Sequence, residues 1–431
     1  EPVTADDVYF TFHDVIQHPE FENLVLKSSF EGVTVEKVDD RTVTMKLNEP
    51  NAFFFTQLTV GILPQHLLKD ISIKELDTHE FNQKPIGNGP YKVKGAYEKK
   101  RDGSTEVALE YDKNYWRNVN PDITAINFRT FPTHEDLRKS RGQLHGIPRI
   151  QSYRLLDLNE DRLKEYQYSL PQYTALFLQT DDEVLRARNI RLGIQKAIDK
   201  DKILEAIGYD QPIDTPLLEL DQEDWIYKPN PEEAAGALFD AGWKLDAITG
   251  KRANEAGEIL SLVLVRRSYP NNEKQEEITR ITAELIEQQL EGVGIQVIVE
   301  SYEDSTFQEK VQKRDYDLLL YGQSLGYNLD TYSYWHSSQS AKGLNLSNYG
   351  NAKADFNIEA IRNSFEDKVE ERKEYLQKLA QTIKEDIPAV FLYTPSYTFL
   401  IDKRIQNLYI ENLLFPHDRF ANILEWKVRT K

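Results

Sequence analysis

Residues 259–322 read ILSLVLVRRSYPNNEKQEEITRITAELIEQQLEGVGIQVIVESYEDSTFQEKVQKRDYDLLLYG, and the reading of this stretch decides the fold. ILSLVLV (259–265) is an apolar run of strand length. EEITRITAELIEQQLEGV (276–293) is a long amphipathic helix, with its apolar residues at helical spacing. GIQVIVES (294–301) is a second strand, STFQEKVQKR (305–314) a second helix and DYDLLLYG (315–322) a third strand. Strands alternating with helices predict parallel strands joined by crossover helices, so the class is α/β.

The pattern extends in both directions. Upstream, LPQYTALFLQT (170–180) is an apolar strand, and NIRLGIQKAIDKDKILEAI (189–207) is a helix pair with Ile190, Ile194, Ala197 and Ile198 on one face. Asn230-Pro231-Glu232-Glu233 is a helix start, with an N-cap, proline in the first turn and acids at the positive end of the dipole; Gly242 suits the C′ place. Downstream, two helices are predicted over 354–364 and 371–385, then strands at IPAVFLYT, YTFLID and ILEWKV. The first half is richer in β-structure. GVTVEKVDDRTVTMKL (32–47) is a hairpin turning at Asp39-Asp40, and Gly87, Gly89 and Pro90 turn into a strand from Tyr91 with EVALEYD and AINFRTF as partners. Thr4, with Asp7 three residues on, caps a first helix carrying Val8, Phe12, Val15 and Ile16. The last ~40 residues read as extended strands able to pair with this half.

A chain of 431 residues, 40% apolar, predicts two or three domains. No apolar run approaches the ~18 residues of a membrane-spanning helix. The net charge of −18 argues against nucleic acid, whose phosphates would be repelled, and offers anionic lipid no polybasic patch. The absence of Cys excludes thiol nucleophiles, thiolate metal sites and disulfides. Eleven per cent aromatic residues, 23 of them Tyr, suit a cleft that offers both apolar faces and hydroxyls.

Three motifs compete for a chemical role. Gly322-Gln323-Ser324-Leu325-Gly326 matches the G-x-S-x-G elbow of serine hydrolases and follows a strand, but a loop rather than a helix follows it, and no donor loop for an oxyanion is visible. Gly87-Asn88-Gly89 precedes a strand and Pro90, which is a turn and not a phosphate loop. No two of the eight His lie at i, i+4, and His336 stands alone in an aromatic stretch, so no metal site is expected. What remains is the segment from Tyr321 to Trp335. It leaves the C-terminal end of an apolar strand, where crevices form in α/β domains, and it alternates polar with aromatic groups.

Taken together, the segments resemble the extracytoplasmic solute-binding proteins of peptide/nickel-type ABC transporters, the family of the dipeptide- and oligopeptide-binding proteins. VTADDVYFTF (3–12), PIGNGPYKV (85–93), YDKNYWRNVNPDITAINF (111–128), NIRLGIQKAIDKDKI (189–203), EEAAGALFDAGW (232–243), YDLLLYGQSLGYNLDTYSYW (316–335) and NLSNYGNAKAD (345–355) match that family's motifs in order. The resemblance implies a two-lobed, periplasmic-binding-protein-like (type II) α/β fold with an extra small subdomain. Such a protein closes on a solute by hinge motion and presents it to a membrane permease, with no catalysis and no cofactor. It implies residues 1–80 as the small subdomain, 81–170 and 390–431 as the first lobe, and 171–389 as the second. Family members carry strands ahead of the T-A-E-D-V helix, so the first lobe is expected to be incomplete at its N-terminus here. By the same likeness the protein is an extracytoplasmic monomer, and an anchoring lipid would belong to a segment upstream of Glu1. The expected ligand contacts are Tyr321, Gln323, Ser324, Tyr327, Asp330, Tyr332 and Trp335, with Tyr173 and Phe391 near the lobe crossovers. One departure stands out: where oligopeptide-binding members place an Asp that pairs with the peptide's α-ammonium, this sequence has Gly326, and Asp330 is the nearest carboxylate. The solute is then a peptide or a similar small molecule. The alternative is a serine hydrolase with Ser324 as nucleophile.

Overall fold

The computed structural model describes residues 1–150, 161–209, 211–326, 329–341, 343–365, 368–410 and 413–429. The chain forms two compact units. Unit 1 comprises Glu1–Phe21, Leu63–Leu170 and Ser396–Lys431; unit 2 comprises Glu22–Ile62 and Pro171–Pro395.

Unit 2 is built on a five-stranded sheet in the order Gln296–Tyr302, Ser261–Arg267, Leu318–Ser324, Gln172–Leu178, Ala389–Tyr393. The first three strands are parallel, as the alternation in 259–322 predicts, and the last two run antiparallel to their neighbours. Both faces are covered, which explains why DLLLY reads as continuously apolar rather than alternating. Leu176, Leu178, Leu262, Leu264, Leu318 and Leu320 face one core. Tyr173, Ala175, Phe177, Val265, Leu319 and Phe391 face the other.

The helices obey local rules. Asn272 caps the Glu273–Glu291 helix by accepting from Gln275 N at 3.1 Å, and Ile278, Thr282, Ala283, Ile286 and Leu290 form its buried stripe. After that helix the backbone turns at Gly294 (φ +91°), where a Cβ would stand 2.7 Å from Leu245 Cδ1, so glycine is required both for conformation and for space. Helix Arg188–Ala197 packs on Pro231–Asp240 through Gly193, whose missing Cβ makes room for Leu238. The expected pair downstream is found at Ala352–Arg362 and Val369–Asp386.

The hairpin Val33–Asp39/Thr42–Leu47 forms as read, antiparallel, with Asp39 Oδ1 accepting from Arg41 N at 2.8 Å in the turn. By its contacts, Glu22–Ile62 groups with Pro171–Pro395. Ala52 N donates to Arg362 O at 2.7 Å, Ser28 Oγ meets Ser333 Oγ at 2.9 Å, and buried Phe53 lies under the Arg372 guanidinium. Contacts at long sequence separation of this kind leave no trace in a local pattern.

Unit 1 has a sheet of Tyr91–Val93, Thr105–Tyr111 and Ala125–Thr130, with Glu98–Lys99 added at one end, which matches the predicted partners of the Tyr91 strand. A second sheet places Ser396–Asp402 between Gly146–Ile150 and Leu163–Ser169, antiparallel to both. The first helix is α over Ala5–Tyr9 and widens to π over Phe10–Ile16. Its Asp7 accepts from Thr4 N at 2.8 Å and Gln65 N at 2.9 Å. The C-terminal reading needs correction. Among the described residues beyond Asp402, strand pairing is confined to Ile405–Gln406 with Lys427–Val428, and Asp418–Phe420 and Ile423–Glu425 are 3₁₀ turns. Asp418 ties the amides of Leu414 and Phe415 at 2.9 and 2.8 Å, and a side chain that bonds its own backbone competes with strand pairing.

Candidate functional site

The candidate residues all belong to unit 2, where they fall into two groups and a rim. Tyr173 lies near the start of Gln172–Leu178, and Gln323 is its register partner on Leu318–Ser324. The Tyr173 hydroxyl donates to Gln323 Oε1 and accepts from Trp335 Nε1 at 3.1 Å; Gln323 Nε2 donates to Leu344 O at 2.9 Å. Phe391 stands edge-on to Tyr173 at 5.7 Å between ring centroids and tilts against Trp335 at 5.5 Å. Tyr173 and Trp335 are each 1% exposed, Phe391 3% and Gln323 5%. The structure thus brings these four together, but as a closed network whose polar atoms bond one another. Burial drives the Tyr173 phenol well above its ordinary pKa, so it stays neutral. In this conformation the group is a rigid floor.

The second group is charged. Arg362 engages Asp330 through Nη2 at 2.7 Å and Nε at 3.0 Å, and Asp330 Oδ1 also accepts from Tyr332 N at 3.1 Å. The same guanidinium lies 3.8 Å over the Tyr332 ring, which stacks on His336 at 4.4 Å. His336 reaches Ser338 Oγ at 2.8 Å and Glu359 Oε1 at 3.3 Å. A cationic group arriving at Asp330 would therefore have to displace an arginine held in a planar fork. Among the described residues, no three His, Asp or Glu side chains gather as metal ligands would.

The rim is formed by Tyr321 and Ser324 at the C-terminal end of their strand. Tyr321 is half-buried and tilts against Phe307 at 5.3 Å. Ser324 is exposed, and its carbonyl accepts from the Tyr334 hydroxyl. Tyr327 lies outside the described residues. The sequence reading missed Arg267 and Tyr269 at the C-terminal end of the adjacent parallel strand. Arg267 stacks 5.0 Å over Tyr269 and pairs with Asp304; burial pushes its pKa down, but the Asp304 pairing together with Tyr269 and Tyr321 more than offsets this, so it is raised overall. Their signal was faint, because the run ILSLVLV ends before them and nothing marks Arg-Arg-Ser-Tyr as more than a loop. At the opposite end of the same strands lies a polar cavity of about 590 Å³ lined by Gln179, Lys310, Arg314, Asp315 and Asp317 among others. Lys310 pairs there with Asp315 at 2.9 Å, and Arg314 donates to the carbonyls of Ser340, Gly343 and Asn345.

Comparison with known proteins bears on the fold and the family. The model of the bacterial extracellular solute-binding proteins, family 5, matches residues 1–345. The oligopeptide-binding protein AppA of Bacillus subtilis (strain 168) is 28% identical over 458 aligned positions, covering 98% of this chain and 77% of that one. A dipeptide-binding protein of Pseudomonas aeruginosa is 23% identical, covering 89% and 72%. Among solved structures, NikZ from Campylobacter jejuni in complex with Ni(L-His) superposes with a TM-score of 0.75 at 23% identity, covering 98% of this chain and 84% of that one. AppA from Bacillus subtilis in complex with a nonapeptide superposes with a TM-score of 0.74 at 24% identity, covering 100% and 84%. These neighbours share the two-lobed α/β fold.

Proposed function

Because the chain belongs to the bacterial extracellular solute-binding proteins of family 5, we propose that it is the solute-binding component of an ABC importer whose solute is a peptide or a peptide-like molecule. The family is one of binding proteins, not enzymes, and the Ser324 hydrolase reading falls with it. In the structure the strand ends at Ser324, Leu325 and Gly326 follow without a helix, and the serine's carbonyl is held by Tyr334. The observation that carries the proposal is the match to oligopeptide-binding AppA along 98% of this chain. The family works outside the cytoplasm, and among the described residues no helix is long and apolar enough to cross a membrane.

The proposed mechanism is a population shift. A solute stabilises the closed conformation only by its differential affinity for that state. The chain passes between the units at 21–22, 62–63, 170–171 and 395–396, and the proposal treats the units as the lobes and the last two passages as hinge strands. Tyr321, Ser324, Tyr332 and Asp330 are the proposed contacts from unit 2, with Arg267 and Tyr269 added. Tyr173, Gln323, Trp335 and Phe391 are proposed to hold them in place from below. Extended peptides bind largely through the backbone, which fits a site of hydroxyls and aromatic rings. Native mass spectrometry of the purified chain against a mixed peptide library and nickel–histidine is the test. Retention of peptides is expected; a chain that retains only the nickel complex, or hydrolyses what it binds, would reject the reading.

A further inference from the structure

Unit 1 holds a cluster that neither the family motifs nor the residues above use. Tyr168 and Tyr397 are register partners on adjacent strands and stack at 5.7 Å. The Gly146–Ile150 strand is irregular against Ser396–Asp402 between Thr398 and Leu400, and Arg149 stands there at φ +56°. A bulge re-aims a side chain, and the Arg149 guanidinium lies 5.2 Å over the Tyr397 ring. From the turn Asp418–Phe420, Arg419 lies 4.6 Å over Phe420 and 5.7 Å over Phe399, on the same face of the sheet.

The polar atoms of this cluster are not satisfied. Arg419 is 7% exposed, its Nη1 donates to Pro416 O, and among the described residues its Nε finds no hydrogen-bond acceptor. Among the described residues the buried Tyr168 hydroxyl finds no acceptor for its own proton, while the Arg149 backbone amide acts on its oxygen. Among the described residues neither Arg149 nor Arg419 meets a carboxylate, and the adjacent Asp418 spends an oxygen on two backbone amides. Burial lowers the Arg419 pKa; the Tyr168 phenol opposes this and Arg149 deepens it. A buried guanidinium, a second one beside it and an unused hydroxyl donor form an arrangement that costs free energy until an anion completes it. Guanidinium forks fit carboxylates bidentately, and a phenol donates to the remaining oxygen.

We propose that unit 1 binds a carboxylate group at Arg149, Arg419 and Tyr168. The inference rests on the solute-binding reading in one respect, that the carboxylate belongs to the solute. The full chain, labelled with ¹⁵N in arginine, is titrated with succinate while the Nε–H signals of Arg149 and Arg419 are followed, assigned from R149Q and R419K. Both signals are expected to move saturably with succinate and to ignore succinamide. Arg149→Gln, an exposed change that leaves the fold intact, and Tyr168→Phe are each expected to weaken succinate at least about tenfold, the lower bound for a charged hydrogen bond. Unmoved signals, equal shifts with succinamide, or unaltered succinate binding by R149Q would overturn the site. Calorimetry with tri-alanine and tri-alanine amide then separates the two readings. Preference for the free acid supports both; binding of neither, with the succinate shifts intact, rejects the peptide reading and keeps the site. Equal binding of acid and amide overturns the assignment of the carboxylate to the solute.

Discussion

The Tyr173 hydroxyl accepts from Trp335 and donates to Gln323, so one oxygen joins two strands to the segment beyond them. Tyr173→Phe leaves a buried indole N–H and a buried amide oxygen without partners. The expected loss is about 1–3 kcal/mol of unfolding free energy, read by urea titration; a change below a few tenths would show that the network carries no stability. Asp402 gives a pH-dependent case. Arg404 holds it through Nη2 at 2.8 Å and Nε at 3.0 Å, Arg162 approaches to 3.7 Å, and its pKa falls from 3.8 to about 2. A carboxylate with a depressed folded-state pKa stabilises above its unfolded value and loses that contribution as pH falls through the folded value. The stability gap between the native chain and Asp402→Asn is therefore expected to be full at pH 5 and to shrink between about pH 4 and pH 2. A gap that stays constant in acid unfolding across that range would contradict the assignment. Asp330 belongs at this scale too: the sequence places it among the expected ligand contacts as the carboxylate nearest to Gly326, and the structure pairs it with Arg362.

Between elements, close approach is set by what a side chain lacks. A Cβ on Gly193 would stand 2.7 Å from Leu238 Cγ and 3.3 Å from Ala234 O. Gly193→Val is expected to cost about 1–3 kcal/mol by overpacking, and Leu238→Ala in the same chain to recover part of it. A double-mutant cycle showing simple additivity would mean the helices do not meet there. The Asn272 cap is independent of that contact, and Asn272→Ala is expected to cost about 1 kcal/mol, with helix content unchanged by circular dichroism. The helices were legible for the same reason that these predictions are local. Caps, first-turn acids and apolar spacing act within a few residues. The C-terminal turns were misread because Asp418 and Trp426 satisfy their neighbourhood with side chains, Trp426 Nε1 donating to Asn422 at 2.8 Å, and an apolar run alone does not reveal this.

At the scale of the whole molecule, unit 1 and unit 2 each have their own apolar cores. Multi-unit chains depart from two-state behaviour. Urea unfolding is expected to show two transitions, Leu264→Ala lowering one and Phe399→Ala the other; a single transition moved equally by both would show one cooperative body. What the sequence determined by itself was most of the helices and the sheet strands of the second half, its parallel core and, through seven ordered motifs, the family. Those are properties of periodicity and local chemistry, which a linear chain displays. Only the tertiary structure decided that residues 22–62 group with 171–395, that Tyr173, Gln323 and Trp335 bond one another, and that Arg149, Tyr168 and Arg419 come together. Those facts depend on which residues, tens or hundreds of positions apart, come within a few ångströms, and no local pattern carries that distance.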